Sequence, residues 1–162
     1  MWEKEIYSIR MKVIHCIKDI PEQKLNWQPS QGKWSIAQNV LHLAGAETRF
    51  LTLALTAVKS PLKSDSASVD LSVFDDASIK LKAPIEPSDE PQTLVTLLAA
   101  LDQSRQLTNN FLETYSKADL EGKYMNHQRF GIMPIWQVLE LLGKHEQRHL
   151  HQMNQLKKEI LS

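Results

Sequence analysis

PIWQVLELLGKHEQRHLHQMNQLKKEI, residues 134–160, carries apolar side chains at Ile135, Val138, Leu139, Leu142, Met153, Leu156 and Ile160. Steps of three and four place them on one face of a helix, and a helix of this length crosses a whole domain. His149 falls inside that stripe and His145 on its flank. Because they are four apart they stack one turn above the other, so two imidazoles can reach one ion. His151 points to the opposite side and reads as a solvated surface residue.

Three more helices precede it. The first covers roughly 2–20, on Ile6, Ile9, Val13, Ile17 and Ile20, until Pro21 ends or kinks it. The second has a defined start: Ser35 followed by Gln38 is a capping-box pattern, serving the unpaired backbone donors of a first turn. Ile36, Val40, Leu43, Phe50, Ala54 and Val58 then form its stripe, ending near Lys59. The third begins near Pro91 and runs on Leu94, Leu97, Leu98, Leu101, Leu107 and Phe111. Between the second and third lies a serine-, aspartate- and proline-rich stretch, 60–90, with room for a short extended piece near Val69 to Phe74. Connections of this length are often functional or mobile. A second polar connection precedes Pro134. The pattern predicts an all-α protein, a four-helix bundle with a long crossover between helices 2 and 3, forming a single domain over 1–162.

Lysine plus arginine number 19, as do aspartate plus glutamate, so the chain lacks the basic excess needed to neutralise a phosphate backbone. Nucleic acid is therefore not the expected partner; a small-molecule substrate is, and a homodimer is compatible with it. The N-terminus mixes charge into its apolar residues from the third position, unlike a signal peptide. No apolar run is long enough to span a bilayer. Cys16 is the sole cysteine, so an internal disulfide is excluded and a cytoplasmic setting is expected.

His145-Glu146-Gln147-Arg148-His149 has the letters of a zinc-protease motif, in which the glutamate is the general base and a third ligand follows downstream. Here the thirteen residues after His149 continue the same helix, and no downstream ligand is expected. An upstream one is available. His42 lies about two turns into the second helix, beside Leu41 and Leu43, with small residues at Gly45 and Ala46 that let another helix approach. Three histidines from two helices would hold one divalent ion and leave a position open for water or substrate.

Two blocks carry a resemblance to a known family. In LNWQPSQGKWSIAQNVLHLAGAE, residues 25–47, Trp27, Pro29, Lys33, Trp34, Ser35, Ile36 and His42 follow in order the helix-entry pattern of the DinB-like superfamily. In RFGIMPIWQVLELLGKHEQRHLHQM, residues 129–153, Phe130, Gly131, His145, His149 and Gln152 resemble its closing helix. The resemblance implies a four-helix bundle binding a divalent metal, zinc or nickel, through His42, His145 and His149. It also implies a reaction among those of the superfamily, which includes metal-dependent hydrolases, transferases that use a low-molecular-weight thiol, and an isomerase. One departure stands out: where many relatives carry a further histidine beside the second closing-helix ligand, this chain has Arg148 and Leu150.

Other residues admit two readings each. Glu146, near the centre of the stripe, is a base for an activated water, a support for a ligand histidine, or the partner of a basic residue on a neighbouring helix. Gln152, one turn beyond His149, holds a water or substrate, or is structural. Arg49, seven residues after His42, grips an anionic substrate group or a thiol cofactor's carboxylate, or pairs with a surface acid. Trp27 and Trp34 read as the hydrophobic clamp of a turn, Cys16 as a buried structural cysteine, and His127 as a residue of the site mouth or the surface. The catalytic candidates are thus Glu146, Gln152 and Arg49. The expected activity is hydrolysis or thiol transfer; the alternative is a non-catalytic metal-binding or interaction module.

Overall fold

Ser35 begins the helix that organises the molecule. Its hydroxyl accepts from the Gln38 N–H at 3.0 Å while Gln38 Oε1 accepts from the Ser35 N–H at 2.9 Å, the complete capping box. In the computed structural model, which describes residues 2–30 and 32–162, helix α3 runs from here over Ile36–Lys59. Before it come α1 (Trp2–Ile17) and a single helical turn, α2 (Glu22–Leu25). After it come α4 (Leu94–Thr114), the short α5 (Lys117–Leu120), strands β1 (Tyr124–His127) and β2 (Gly131–Pro134), and α6 (Val138–Leu161). The four long helices α1, α3, α4 and α6 pack as a four-helix bundle.

Contacts between named residues give the helix directions. Arg10 reaches Glu146 and Lys157 reaches the Cys16 carbonyl, so α1 and α6 run parallel. Glu47 meets Arg105, and the apolar neighbours on either side rise in the same order, so α3 and α4 are parallel as well. Asn39 meets His149 whereas His42 meets His145, so α3 and α6 are antiparallel. Parallel neighbours cannot be joined by a tight turn. The 24-residue α3 is roughly 36 Å long, and the chain must travel back along it before α4 can begin. That requirement is the physical reason for the crossover.

The crossover is mostly irregular. Its anticipated extended piece is instead a 3₁₀ turn, Ser72–Asp75, in which Asp70 and its neighbours close local hydrogen bonds and Phe74 turns inward. Helix α4 starts at Thr93, whose hydroxyl accepts from the Thr96 N–H, slightly later than Pro91 suggested. The connection before α6, polar in its sequence, holds an antiparallel hairpin with Tyr124 opposite Pro134 and His127 opposite Gly131. Gly131 has φ +70°, a backbone conformation that glycine adopts without steric cost, and this turns the chain into β2. No helix among the described residues is long and apolar enough to cross a membrane.

The core lies in two apolar halves. One gathers Val13, Ile17, Val40, Leu43, Leu97, Leu101, Leu150 and Met153; the other gathers Ile6, Leu51, Phe111, Met133, Val138 and Leu142. Between them each long helix contributes one charged residue, and these four form a closed ring. Arg10 donates to Glu47 at 2.6 Å and to Glu146 at 2.6 Å, while Arg105 donates to Glu47 at 2.7 Å and to Glu146 at 2.9 Å. Glu47 also accepts from the Ser104 and Thr108 hydroxyls, and Arg10 donates to the Leu101 carbonyl. Burial would push the Glu47 carboxyl up, but Arg10 and Arg105 outweigh it and hold the group below its ordinary range. Burial likewise opposes the charge on Arg10, and Glu146 and Glu47 more than restore it.

Candidate metal centre

The ring lies immediately beside the histidines, since Glu146 follows His145 in α6 and Glu47 lies on the helix of His42. The capping box sets where α3 begins, and so which face His42 presents to α6. There His42 Nε2 lies 3.0 Å from His145 Nε2. One nitrogen from each of His42, His145 and His149 falls within 4.8 Å of the other two. Ligand nitrogens at about 2.0–2.1 Å from a tetrahedral ion stand roughly 3.4 Å apart, so the spacing suits a first-row divalent cation. A three-histidine cluster able to coordinate a metal ion is therefore present.

Electrostatics supports the same use. All three residues are buried. Burial, with Arg49 next, lowers His42 to about 4; burial, with His42 and Arg148 next, lowers His149 to about 3. His145 is held well below its ordinary value by burial and by the other two rings. At neutral pH the imidazoles are uncharged, the form that offers a lone pair to a metal.

Aromatic rings enclose the cluster. Trp34 lies over His149 with ring centroids 6.1 Å apart and planes 17° from parallel, and it also meets His42 at 4.9 Å. Phe50 and Phe74 set their edges against His145 at 5.4 Å and 5.9 Å. The crossover supplies part of this cover: Phe74 belongs to it, and Glu86 accepts from the Trp34 indole N–H at 2.9 Å. Arg148 fastens that segment by donating to the Asp76 and Ile79 carbonyls, beside a Lys144–Asp75 ion pair at 2.9 Å. A surface cleft of about 650 Å³ runs along α6 between Ile9, Gly143 and Gln147, with Phe74, Arg148 and Gln152 also in its lining.

Residues 5–153 match the DinB superfamily. The chain belongs to that superfamily. An uncharacterized Bacillus subtilis (strain 168) protein, YuaE, is 27% identical over 153 residues, covering 93% of this chain and 94% of YuaE. Among solved structures, YfiT from Bacillus subtilis superposes with a TM-score of 0.70 at 16% identity, covering 98% of this chain and 85% of its own. It is described as a probable metal-dependent hydrolase with an unusual four-helix bundle topology. TT2238, described as a four-helix bundle protein, gives 0.67 at 15% identity over 95% of this chain and 98% of its own. At such identities the two structures establish the shared fold.

This DinB-superfamily chain distributes the remaining candidates unevenly. Glu146 turns its carboxylate to Arg10 and Arg105, the ion-pair reading among the three considered, and among the described residues it bonds no histidine. Gln152 is exposed and lies near His149, where its side chain works against the lowering of that imidazole by burial. Arg49 is half-buried, and its charge depresses both His42 and His145. His127 packs at a tilt against Phe50 and Phe130, with the Phe50 ring between it and His145, and its Nδ1 accepts from the Arg129 N–H. His151 is exposed, as expected. Cys16 is buried, which pushes its thiol up. The two tryptophans need separating: Trp27 is 42% exposed, whereas Trp34 covers the histidines and is part of the site. Sequence reading also missed Asn39, whose Oδ1 lies 3.1 Å from His149 Nδ1. Its one visible signal is its place on the His42 helix, one turn before that histidine.

Proposed function

We propose that this chain is a metal-dependent enzyme acting on a small molecule, with His42, His145 and His149 holding one divalent ion, zinc or nickel. The reading rests on one observation: three buried imidazoles from two antiparallel helices converge their nitrogens within 4.8 Å. Bound there, the ion would supply Lewis-acid activation of a small nucleophile, water in hydrolysis or a low-molecular-weight thiol in group transfer. YfiT's description as a probable metal-dependent hydrolase supports the first.

The chain's own residues serve the same end. Trp34, Phe50 and Phe74 exclude bulk water from the cluster. Arg49 folds back over Gly45, where its Nη1 would lie only 3.2 Å from an added Cβ, and has no carboxylate partner among the described residues. A cation kept free beside three neutral histidines suits an anionic group on the substrate or thiol. Gln152, at the exposed edge of His149, is placed to hydrogen-bond an incoming ligand. A lone buried cysteine agrees with a cytoplasmic setting.

Elemental analysis of the native protein tests the reading, followed by thiol-transfer and esterase screens of the metal form. About one zinc or nickel per chain is expected, with loss of that ion in His42→Ala. Unchanged metal content in His42→Ala would refute the triad. The enclosure of the cluster favours one second reading, in which the ion only braces α3 against α6. In that case chelation unfolds the protein and neither screen gives turnover; a folded metal-free protein that regains activity on reloading supports the enzyme.

A further inference from the structure

We propose that Asn39 is the positioning residue of the metal centre: it fixes His149 in the tautomer that carries its proton on Nδ1, leaving Nε2 to face the ion. The inference starts at the helix cap. The Ser35 carbonyl accepts both the Asn39 backbone N–H at 3.1 Å and the Asn39 side-chain Nδ2 at 3.0 Å. A carbonyl only accepts, so the amide nitrogen must point toward Ser35 and the amide oxygen away from it. That oxygen meets His149 Nδ1 at 3.1 Å. An amide oxygen also only accepts, so Nδ1 must carry the hydrogen. A neutral imidazole has a single N–H, and the lone pair therefore sits on Nε2. Asn39 is 4% exposed and His149 8%, so water competes little for either group.

The other two ligands lack this support. Among the described residues, neither His42 Nδ1 nor His145 Nδ1 has a hydrogen-bond partner. His149 is thus the ring whose Nδ1 is held in advance, by a relay running from the α3 cap through Asn39 to α6. Helix α3 contributes one ligand directly and orients a second. Partners of this kind fix ring orientation and raise ligand basicity.

The proposal rests on the metal-centre reading for what the ring faces, but the tautomer is set without an ion and can be read without one. The test uses the full chain, metal-free, as wild type, Asn39→Leu and Asn39→Asp. Long-range ¹H–¹⁵N correlation of the His149 ring reports the tautomer; chelator competition with Zn²⁺ reports affinity; circular dichroism reports the fold. Wild type should show Nδ1–H. Asn39→Leu should shift His149 toward Nε2–H and weaken Zn²⁺ binding by roughly 10–100-fold with the helical signal unchanged. Asn39→Asp keeps the acceptor while losing the donor to Ser35, and should retain the tautomer and near-wild-type affinity. An Nε2–H ring in wild type, unchanged Zn²⁺ affinity in Asn39→Leu, or Asn39→Asp as weak as Asn39→Leu would each overturn the assignment. Should Asn39→Leu fail to fold, the wild-type tautomer and Asn39→Asp still decide it. If wild type binds no Zn²⁺, the metal reading falls by itself and the tautomer measurement still decides the role of Asn39.

Discussion

Glu47 shows how much one buried carboxylate can organise. It accepts from Arg10, Arg105, Ser104 and Thr108, each on a helix other than its own, and none of its surface is exposed. A buried ion pair need not be more stabilising than an apolar replacement, but removing one partner strands the other. Glu47→Gln should therefore cost about 3–5 kcal/mol in chemical denaturation at neutral pH, because two buried guanidinium groups are then left to share the single charge of Glu146. A loss below about 1 kcal/mol would mean that water or a rearrangement supplies the missing partner. The same residue sets an acid limit. Its folded pKa lies below the ordinary 4.5, so the unfolded chain takes up the proton first. Its contribution is complete above the unfolded value and is lost as pH falls through the folded one. Denaturation midpoints should drop below pH 4.5 more steeply in wild type than in Glu47→Gln, which has no carboxyl to titrate there.

At the scale of the element, the crossover is the segment that sequence periodicity described least. Its covering role depends on donors from α6 rather than on a stripe of its own. Arg148 donates to the Asp76 and Ile79 carbonyls and so holds Phe74 near His145. Arg148→Ala should speed limited proteolysis within 60–90 while changing global stability by less than about 1 kcal/mol, since local opening is separable from global unfolding. Unaltered cleavage would assign the cover to the Lys144–Asp75 pair and to Phe74 packing. The hairpin before α6 was likewise illegible in the sequence, because each strand has four residues and its pairing to Leu62 comes from the crossover. The long helices were legible for the opposite reason: several turns of repeating apolar residues, with Ser35 marking one start.

Across the whole molecule, the candidate centre ties α3 to α6, the antiparallel pair. Any ion that binds the folded chain alone stabilises it by mass action, about 4 kcal/mol at a thousand times its dissociation constant. Excess Zn²⁺ should raise the melting temperature of the chelator-treated protein, and His42→Ala should abolish that shift; an equal shift in both would place the ion elsewhere. The sequence by itself determined the four helices, the long polar connection between the second and third, and the one-turn pairing of His145 with His149, because helical period and one-turn spacing are local properties; His42 entered as an upstream candidate, strengthened by the resemblance. The likeness of two short blocks to the DinB-like superfamily extended, on comparison, to residues 5–153. The tertiary structure alone decided that Glu146 belongs to a ring with Arg10, Glu47 and Arg105, that Trp34 covers the histidines, and that Asn39 supports one of them. Those partners lie up to 136 residues apart. A charge on an apolar stripe announces that a partner must exist, since isolated burial is too costly, but only the packing of four helices selects which one.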